Sequence, residues 1–213
     1  MIRFKVFGTY MSLDFYFISL CVILIIYSKI DFMISFILSA LHEIGHIFFI
    51  IMYRIPIKEI NITPYSVDII QETSSLSYKK EFSILLAGPL MNFLLFMIFF
   101  FIYLCSNLII FKDIYLQSLL IGLINLIPIS TLDGGRILQI FLKKRFGVRE
   151  ADKISFIVSI IFIISLMISG FLVLIRSNFN ISILFLSLYL CYFLISQKWN
   201  DKVSGTFGGK ILK

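Results

Sequence analysis

Ser39-Ala40-Leu41-His42-Glu43-Ile44-Gly45-His46-Ile47-Phe48-Phe49 places two histidines and a glutamate inside a run otherwise apolar enough to cross a lipid bilayer. His42 and His46 are the only histidines of the chain. On a helix, a step of four residues is just over one turn, so both imidazoles leave one face about 6 Å apart. Two neutral ring nitrogens so spaced suit one tetrahedral Zn²⁺, with Glu43 beside the open coordination position as general base. The competing reading is a buried helix with incidental histidines. It is weakened because ionisable groups at membrane depth are costly and usually functional.

The surroundings of this stretch are those of an integral membrane protein. Of 213 residues, 60% are hydrophobic and 16% aromatic, and the mean hydropathy is +1.01; no soluble domain needs so much apolar surface. The net charge of +7 comes from bases scattered through loops between apolar spans, which points to membrane flanks and not to nucleic acid. Cys21, Cys105 and Cys191 fall far apart within apolar spans and offer neither metal spacing nor a disulfide framework. The Met1-Ile2-Arg3-Phe4-Lys5 start has no small-residue cleavage site after its first apolar run, so that run reads as an anchor and not a removed signal.

Apolar segments at 13–30, 32–53, 82–111, 114–142, 154–175 and 179–196 each have the length of a membrane crossing. The expected fold is therefore an all-α membrane bundle of about six transmembrane helices. Partial alternation in Ile57-Lys58-Glu59-Ile60-Asn61-Ile62-Thr63 and Ser66-Val67-Asp68-Ile69-Ile70, around Pro64, adds a short membrane-associated β-hairpin. The organisation is one polytopic domain over 1–198 with its functional core at about 32–142, then a short cytoplasmic tail at 199–213 expected to be disordered beyond Trp199. Six spans put both termini on one side. Sixteen of the nineteen lysines and arginines fall on that side, leaving only Lys29, Lys112 and Arg176 opposite, so both termini are expected in the cytoplasm of a multi-pass cell-membrane protein. His46, seven residues before Tyr53, then lies roughly 10 Å below the cytoplasmic surface.

A catalytic zinc with two histidines lacks one protein ligand, and no third histidine exists. From Ile114 to Leu142 is 29 residues, about 43 Å as a helix and too long for one straight crossing. Pro128 and Gly134-Gly135 offer a break within it, tolerated at depth only where it is buried in protein or lines a wet cavity. Asp133 is the one carboxylate of Asn125-Leu126-Ile127-Pro128-Ile129-Ser130-Thr131-Leu132-Asp133-Gly134-Gly135-Arg136 and is the candidate third ligand. A plain Asp-Gly turn at the cytoplasmic edge is the alternative.

With the His-Glu-x-x-His helix, the Asn-x-x-Pro-x-x-x-Leu-Asp-Gly-Gly segment and Ala87-Gly88-Pro89-Leu90-Met91-Asn92 all in place, the chain resembles the site-2 protease family of intramembrane zinc metalloproteases. The resemblance implies that His42, His46 and Asp133 bind one Zn²⁺ per chain, that Glu43 activates water, and that Asn125 helps position substrate near the metal. It implies a membrane-tethered protein substrate within the lipid bilayer, with inhibitory or regulatory membrane proteins as further partners and no nucleic acid. The compact plan is most similar to the stage IV sporulation protein FB branch, which releases a membrane-tethered sigma-factor precursor during endospore formation. No room is expected after the last span for the nucleotide-sensing CBS domain of some members. Pro64-Tyr65-Ser66 stands where many relatives have a glycine-rich turn, and Thr131 where a proline is common.

In this reading the strands at 57–70 pair with an unwound substrate by strand addition. Asn92 and Asn125 are amides at membrane depth, for which interhelical hydrogen bonding is the ordinary role. Two rivals stand beside it. One is another zinc peptidase class completed by a distal glutamate, disfavoured because Glu59, Glu72, Glu81 and Glu150 all flank the spans. The other is a non-catalytic membrane metal-binding or transport protein, which should carry polar residues along successive helices; spans one, five and six have almost none in their cores.

Overall fold

The computed structural model of the chain describes residues 2–6, 9–13, 30–55, 57–62, 67–71, 77–176 and 182–206. Helix α1 (Ile30–Met52) carries the two histidines and has Asp31 in its first turn, where the helix dipole favours an acid. Its end is built from backbone geometry. Arg54 takes the left-handed conformation at φ 52°, Arg54 N–H donates to Ile51 O at 2.9 Å, and Ile55 N–H reaches back to Ile50 O at 3.2 Å. This is the Schellman pattern, and its usual apolar contact is present because Ile55 and Ile50 pack with Ile84 in one buried cluster. The stop leaves the chain free to turn into a strand just beyond the apolar run.

Among the described residues, four strands form one sheet: β1 (Ile2–Val6), β2 (Thr9–Leu13), β3 (Ile57–Ile62) and β4 (Val67–Gln71), in spatial order β1-β2-β3-β4. The outer pairs are antiparallel and β2 runs parallel to β3, with Met11 opposite Ile60. Parallel neighbours need a long crossover, and the connection between β2 and β3 contains all of α1. The antiparallel β3–β4 pair stands where the hairpin was expected, and the N-terminal residues add two further strands beside it.

Helix α2 (Tyr78–Ser106) has Glu81 in its first turn and Pro89 within it, and it ends where Asn107 turns left-handed at φ 52° and donates its N–H to Tyr103 O. Asparagine accepts that conformation more readily than most residues. Helix α3 (Ile109–Asn125) follows and zips onto α2 through aromatic pairs, with Tyr115 against Phe96, Phe100 and Tyr103. Residues up to Leu123 form one compact unit, and Ile124–Leu212 form a second.

The second unit begins with the break expected inside the 114–142 segment. After Asn125 the helix stops, residues 126–132 are irregular, and helix α4 (Asp133–Phe146) starts at Asp133. Ile129 N–H donates to Ile127 O at 2.8 Å across Pro128, and Leu132 N–H donates to Ile129 O at 2.8 Å, so the segment is two successive tight turns. A Cβ on Gly134 would lie 2.8 Å from Ile127 O, and one on Gly135 would lie 2.5 Å from Ser130 N. The glycine pair is therefore what lets the new helix fold back on its own leader.

Helix α5 (Val148–Arg176) clamps that leader. Ser159 Oγ accepts the Ser130 N–H at 2.8 Å and donates to Ser155 O at 2.7 Å, while Ser130 Oγ meets Ser155 Oγ at 3.0 Å. Ile129, fully buried, packs with Ile163 of α5 and with Leu190 and Leu194 of α6 (Ser182–Thr206). Of these helices Met33–Met52, Tyr78–Ser106 and Val148–Arg176 are long and apolar enough to cross a membrane, and Ile183–Ser196 is a shorter apolar helix. All but the ends of the expected first span at 13–30 lie outside the described residues. The tail expected to be disordered beyond Trp199 is helical through Thr206, because Gln197, Lys198 and Lys202 sustain helix without needing an apolar environment.

Candidate metal centre

Within the first unit the spacing of the two histidines becomes a specific geometry. His42 and His46 are 4% and 9% exposed, and their Nε2 atoms stand 3.3 Å apart. Two nitrogens each about 2.0–2.1 Å from one tetrahedral Zn²⁺ would stand roughly 3.3 Å apart, so the pair has the bite of a zinc site. Each ring is also held by its other nitrogen. His46 Nδ1–H donates to Ile84 O at 2.7 Å, and a carbonyl can only accept, which leaves the His46 Nε2 lone pair facing inward. His42 Nδ1 lies 3.1 Å from Asn92 Nδ2.

The space around the two Nε2 atoms is kept open by glycine. A Cβ on Gly88 would fall 2.6 Å from His42 Nε2 and collide with His46 Nε2. Gly45, between the histidines, does the complementary job, since a Cβ there would lie 2.7 Å from Ala87 O and 3.0 Å from Met91 Cβ. Helices α1 and α2 thus meet on small residues, as helices in membranes commonly do. Two buried imidazoles with fixed outer nitrogens, metal-like bite and an empty wall at Gly88 fit a divalent metal better than a packing role.

Glu43 is half-buried on α1 directly after His42. Asn125 is the last residue of α3 and Asp133 the first of α4, both half-buried and both in the second unit. Asn92, read from the sequence as an interhelical amide, makes that contact from α2 to α1, fully buried and with His42 as its partner. The signal that would have found it is its position four residues after Gly88, on the same face of α2.

Residues 108–169 match peptidase family M50. The chain is similar to zinc metalloprotease MJ0392 of Methanocaldococcus jannaschii, 27% identical over 208 residues, covering 92% of this chain and 59% of that protein. It is also similar to stage IV sporulation protein FB of Bacillus subtilis, 26% identical over 128 residues, covering 57% of this chain and 43% of that protein. The site-2 protease from Methanocaldococcus jannaschii has a matching structure, with a TM-score of 0.67 and 27% identity over 92% of this chain and 94% of that one. The chain thus shares its fold with a solved site-2 protease, and its match to peptidase family M50 lies within residues 108–169. It spans 59% and 43% of the lengths of the two relatives.

Proposed function

We propose that this chain is a zinc-dependent endopeptidase that hydrolyses a peptide bond of a membrane-tethered protein, within or near the cytoplasmic side of the bilayer. The observation that carries this reading is the His42–His46 pair, buried in an apolar helix with Nε2 atoms 3.3 Å apart and the outer nitrogens engaged. Asp133 completes the donor set beside His42 and His46 on the strength of the Asn-x-x-Pro-x-x-x-Leu-Asp-Gly-Gly segment it stands in, and two imidazoles with a carboxylate leave a fourth position for chemistry. Zinc bound there supplies Lewis acidity toward the scissile carbonyl and toward water.

The remaining work falls to the chain's own residues. Glu43 takes a proton from the attacking water and returns it to the amine that leaves, so that one water is consumed and a carboxylate and an amine are released. Asn125 positions the substrate. The four-stranded sheet lies along the membrane face and holds an unwound substrate by strand addition, which fixes its backbone while reading little of its sequence. The chain is multi-pass, about six spans over 1–198, with both termini cytoplasmic on the distribution of its basic residues. Likeness to stage IV sporulation protein FB supports a sporulation role, namely release of a sigma-factor precursor under the control of inhibitory membrane proteins.

The test is co-expression with a panel of membrane-tethered transcription-factor precursors, comparing the wild type with Glu43→Gln and Asp133→Asn. A cleavage product seen only with the wild type, with zinc retained by Glu43→Gln and lost by Asp133→Asn, is the expected result. Full biological output from Glu43→Gln would mean that the chain binds metal without catalysis.

A further inference from the structure

Asn92 sits at a contact of the candidate metal centre whose donor and acceptor are not settled by the partner, since a ring nitrogen can play either role. The residue is fully buried. Helix α3 holds its backbone from outside, because Ser118 Oγ–H donates to Asn92 O at 2.9 Å and a Cβ on Gly122 would lie 3.2 Å from Asn92 Cβ. Its amide faces His42 Nδ1 at 3.1 Å through Nδ2, while among the described residues its Oδ1 has no hydrogen-bond partner. The oxygen and nitrogen of a carboxamide are nearly the same size, so one placement of the residue serves two hydrogen-bond schemes related by a half-turn of the amide.

The schemes differ in what they leave on His42 Nε2. With Nδ2 donating, Nδ1 is the acceptor, the ring proton sits on Nε2, and that proton points at the inward lone pair of His46 Nε2, 3.3 Å away. Each of the three links from Asn92 through His42 and His46 to Ile84 then has one donor and one acceptor, and the histidine pair shares a proton. With Oδ1 turned toward the ring, Nδ1–H donates to it and Nε2 carries a lone pair. Two facing lone pairs at 3.3 Å repel each other, and a cation between them turns that repulsion into shared ligation.

Resting on the zinc reading of this site, we propose that Asn92 is a positioning residue whose amide turns to select the tautomer of His42, donating when the histidines share a proton and accepting when they hold zinc. The ring proton moves from Nε2 to Nδ1 with no net gain or loss. An asparagine does both tasks without placing a charge in the bilayer, whereas an aspartate accepts only and a leucine does neither.

The experiment uses detergent-purified chain with ¹⁵N-labelled histidine, in which only two imidazoles contribute. In metal-stripped wild type the two rings are expected as opposite tautomers, His42 protonated on Nε2 and His46 on Nδ1, and both on Nδ1 after zinc is added. In a chelator competition, Asn92→Leu should bind zinc about 10–100-fold more weakly and Asn92→Asp within a few-fold of wild type. Wild-type affinity in Asn92→Leu, or a loss in Asn92→Asp as large as in Asn92→Leu, would overturn the proposal. Should a variant fail to fold, the wild-type spectra decide alone, and an unchanged His42 tautomer on zinc addition overturns it. If the wild type bound no zinc, the metal reading itself would fail, whereas zinc bound with the His42 tautomer unchanged overturns the proposal alone.

Discussion

Gly88→Ala puts one methyl group against the metal centre and nothing else, which makes its consequences easy to work out. The added Cβ would lie 2.6 Å from His42 Nε2, about 0.8 Å inside the 3.4 Å at which ordinary contact begins, and closer still to His46 Nε2. Neither ring has a free path of retreat, since Asn92 stands 3.1 Å behind His42 and Ile84 O 2.7 Å behind His46. Metal-site distances tolerate about 0.2 Å, so a shift several times larger should weaken zinc by at least about tenfold. The crowding costs the fold about 1–3 kcal/mol, of which the preference of alanine over glycine inside a helix offsets about 1 kcal/mol. The assay is zinc content by elemental analysis after graded chelator exposure, alongside thermal unfolding of the metal-stripped chain in the same detergent. Loss of zinc with a modestly lowered midpoint is expected. Zinc held as tightly as in the wild type would refute the argument, because the methyl would then occupy space the metal does not need.

Gly45→Ala should behave oppositely, lowering the unfolding midpoint first, because its Cβ meets backbone at Ala87 O, 2.7 Å away, and overpacking of this kind costs about 1–3 kcal/mol. Gly135→Ala drives a Cβ into the backbone of Ile129 and Ser130; an unfolding midpoint equal to that of the wild type would show that the leader at 126–132 is softer than its turns imply. Ser159→Ala strands the Ser130 N–H, now held at 2.8 Å, and should cost about 1–3 kcal/mol in denaturant unfolding. Stripping the wild type with a chelator should abolish cleavage, and readdition of Zn²⁺ should restore it; activity that survives complete metal removal would rule out metallopeptidase chemistry.

What the sequence made legible follows from the range over which each signal acts. The His42–His46 pair was readable because four residues on a helix fix a face whatever the rest of the chain does. The break after Asn125 was readable because a largely apolar stretch of 29 residues with Pro128 and a glycine pair cannot be one straight span. The N-terminal strands carried a signal that was overridden. Ile2-Arg3-Phe4-Lys5-Val6 alternates strictly, but its charges beside a long apolar run read as the flank of a span. Their pairing was out of reach altogether, since the parallel register of Met11 on Ile60 is set across the whole of α1.

The same limit of range explains why Asn92 passed for an ordinary amide. Its partner His42 is 50 residues away, and nothing local distinguishes an amide that meets a helix from one that meets a ligand. The structure orders Gly88, Pro89 and Asn92 into a single device: Gly88 clears the space in front of the imidazoles, and Asn92, one turn further along α2, stands behind one of them. Pro89, buried between them, has no N–H to give the preceding turn, so α2 lacks one backbone hydrogen bond next to Ile84, whose carbonyl is turned to His46. A sequence of small residue, proline and amide that looks like a helix-packing motif thus forms the outer wall of the candidate metal centre. Helix α1 contributes the two imidazoles, and α2 holds the outer nitrogen of each ring and limits the room in front of them.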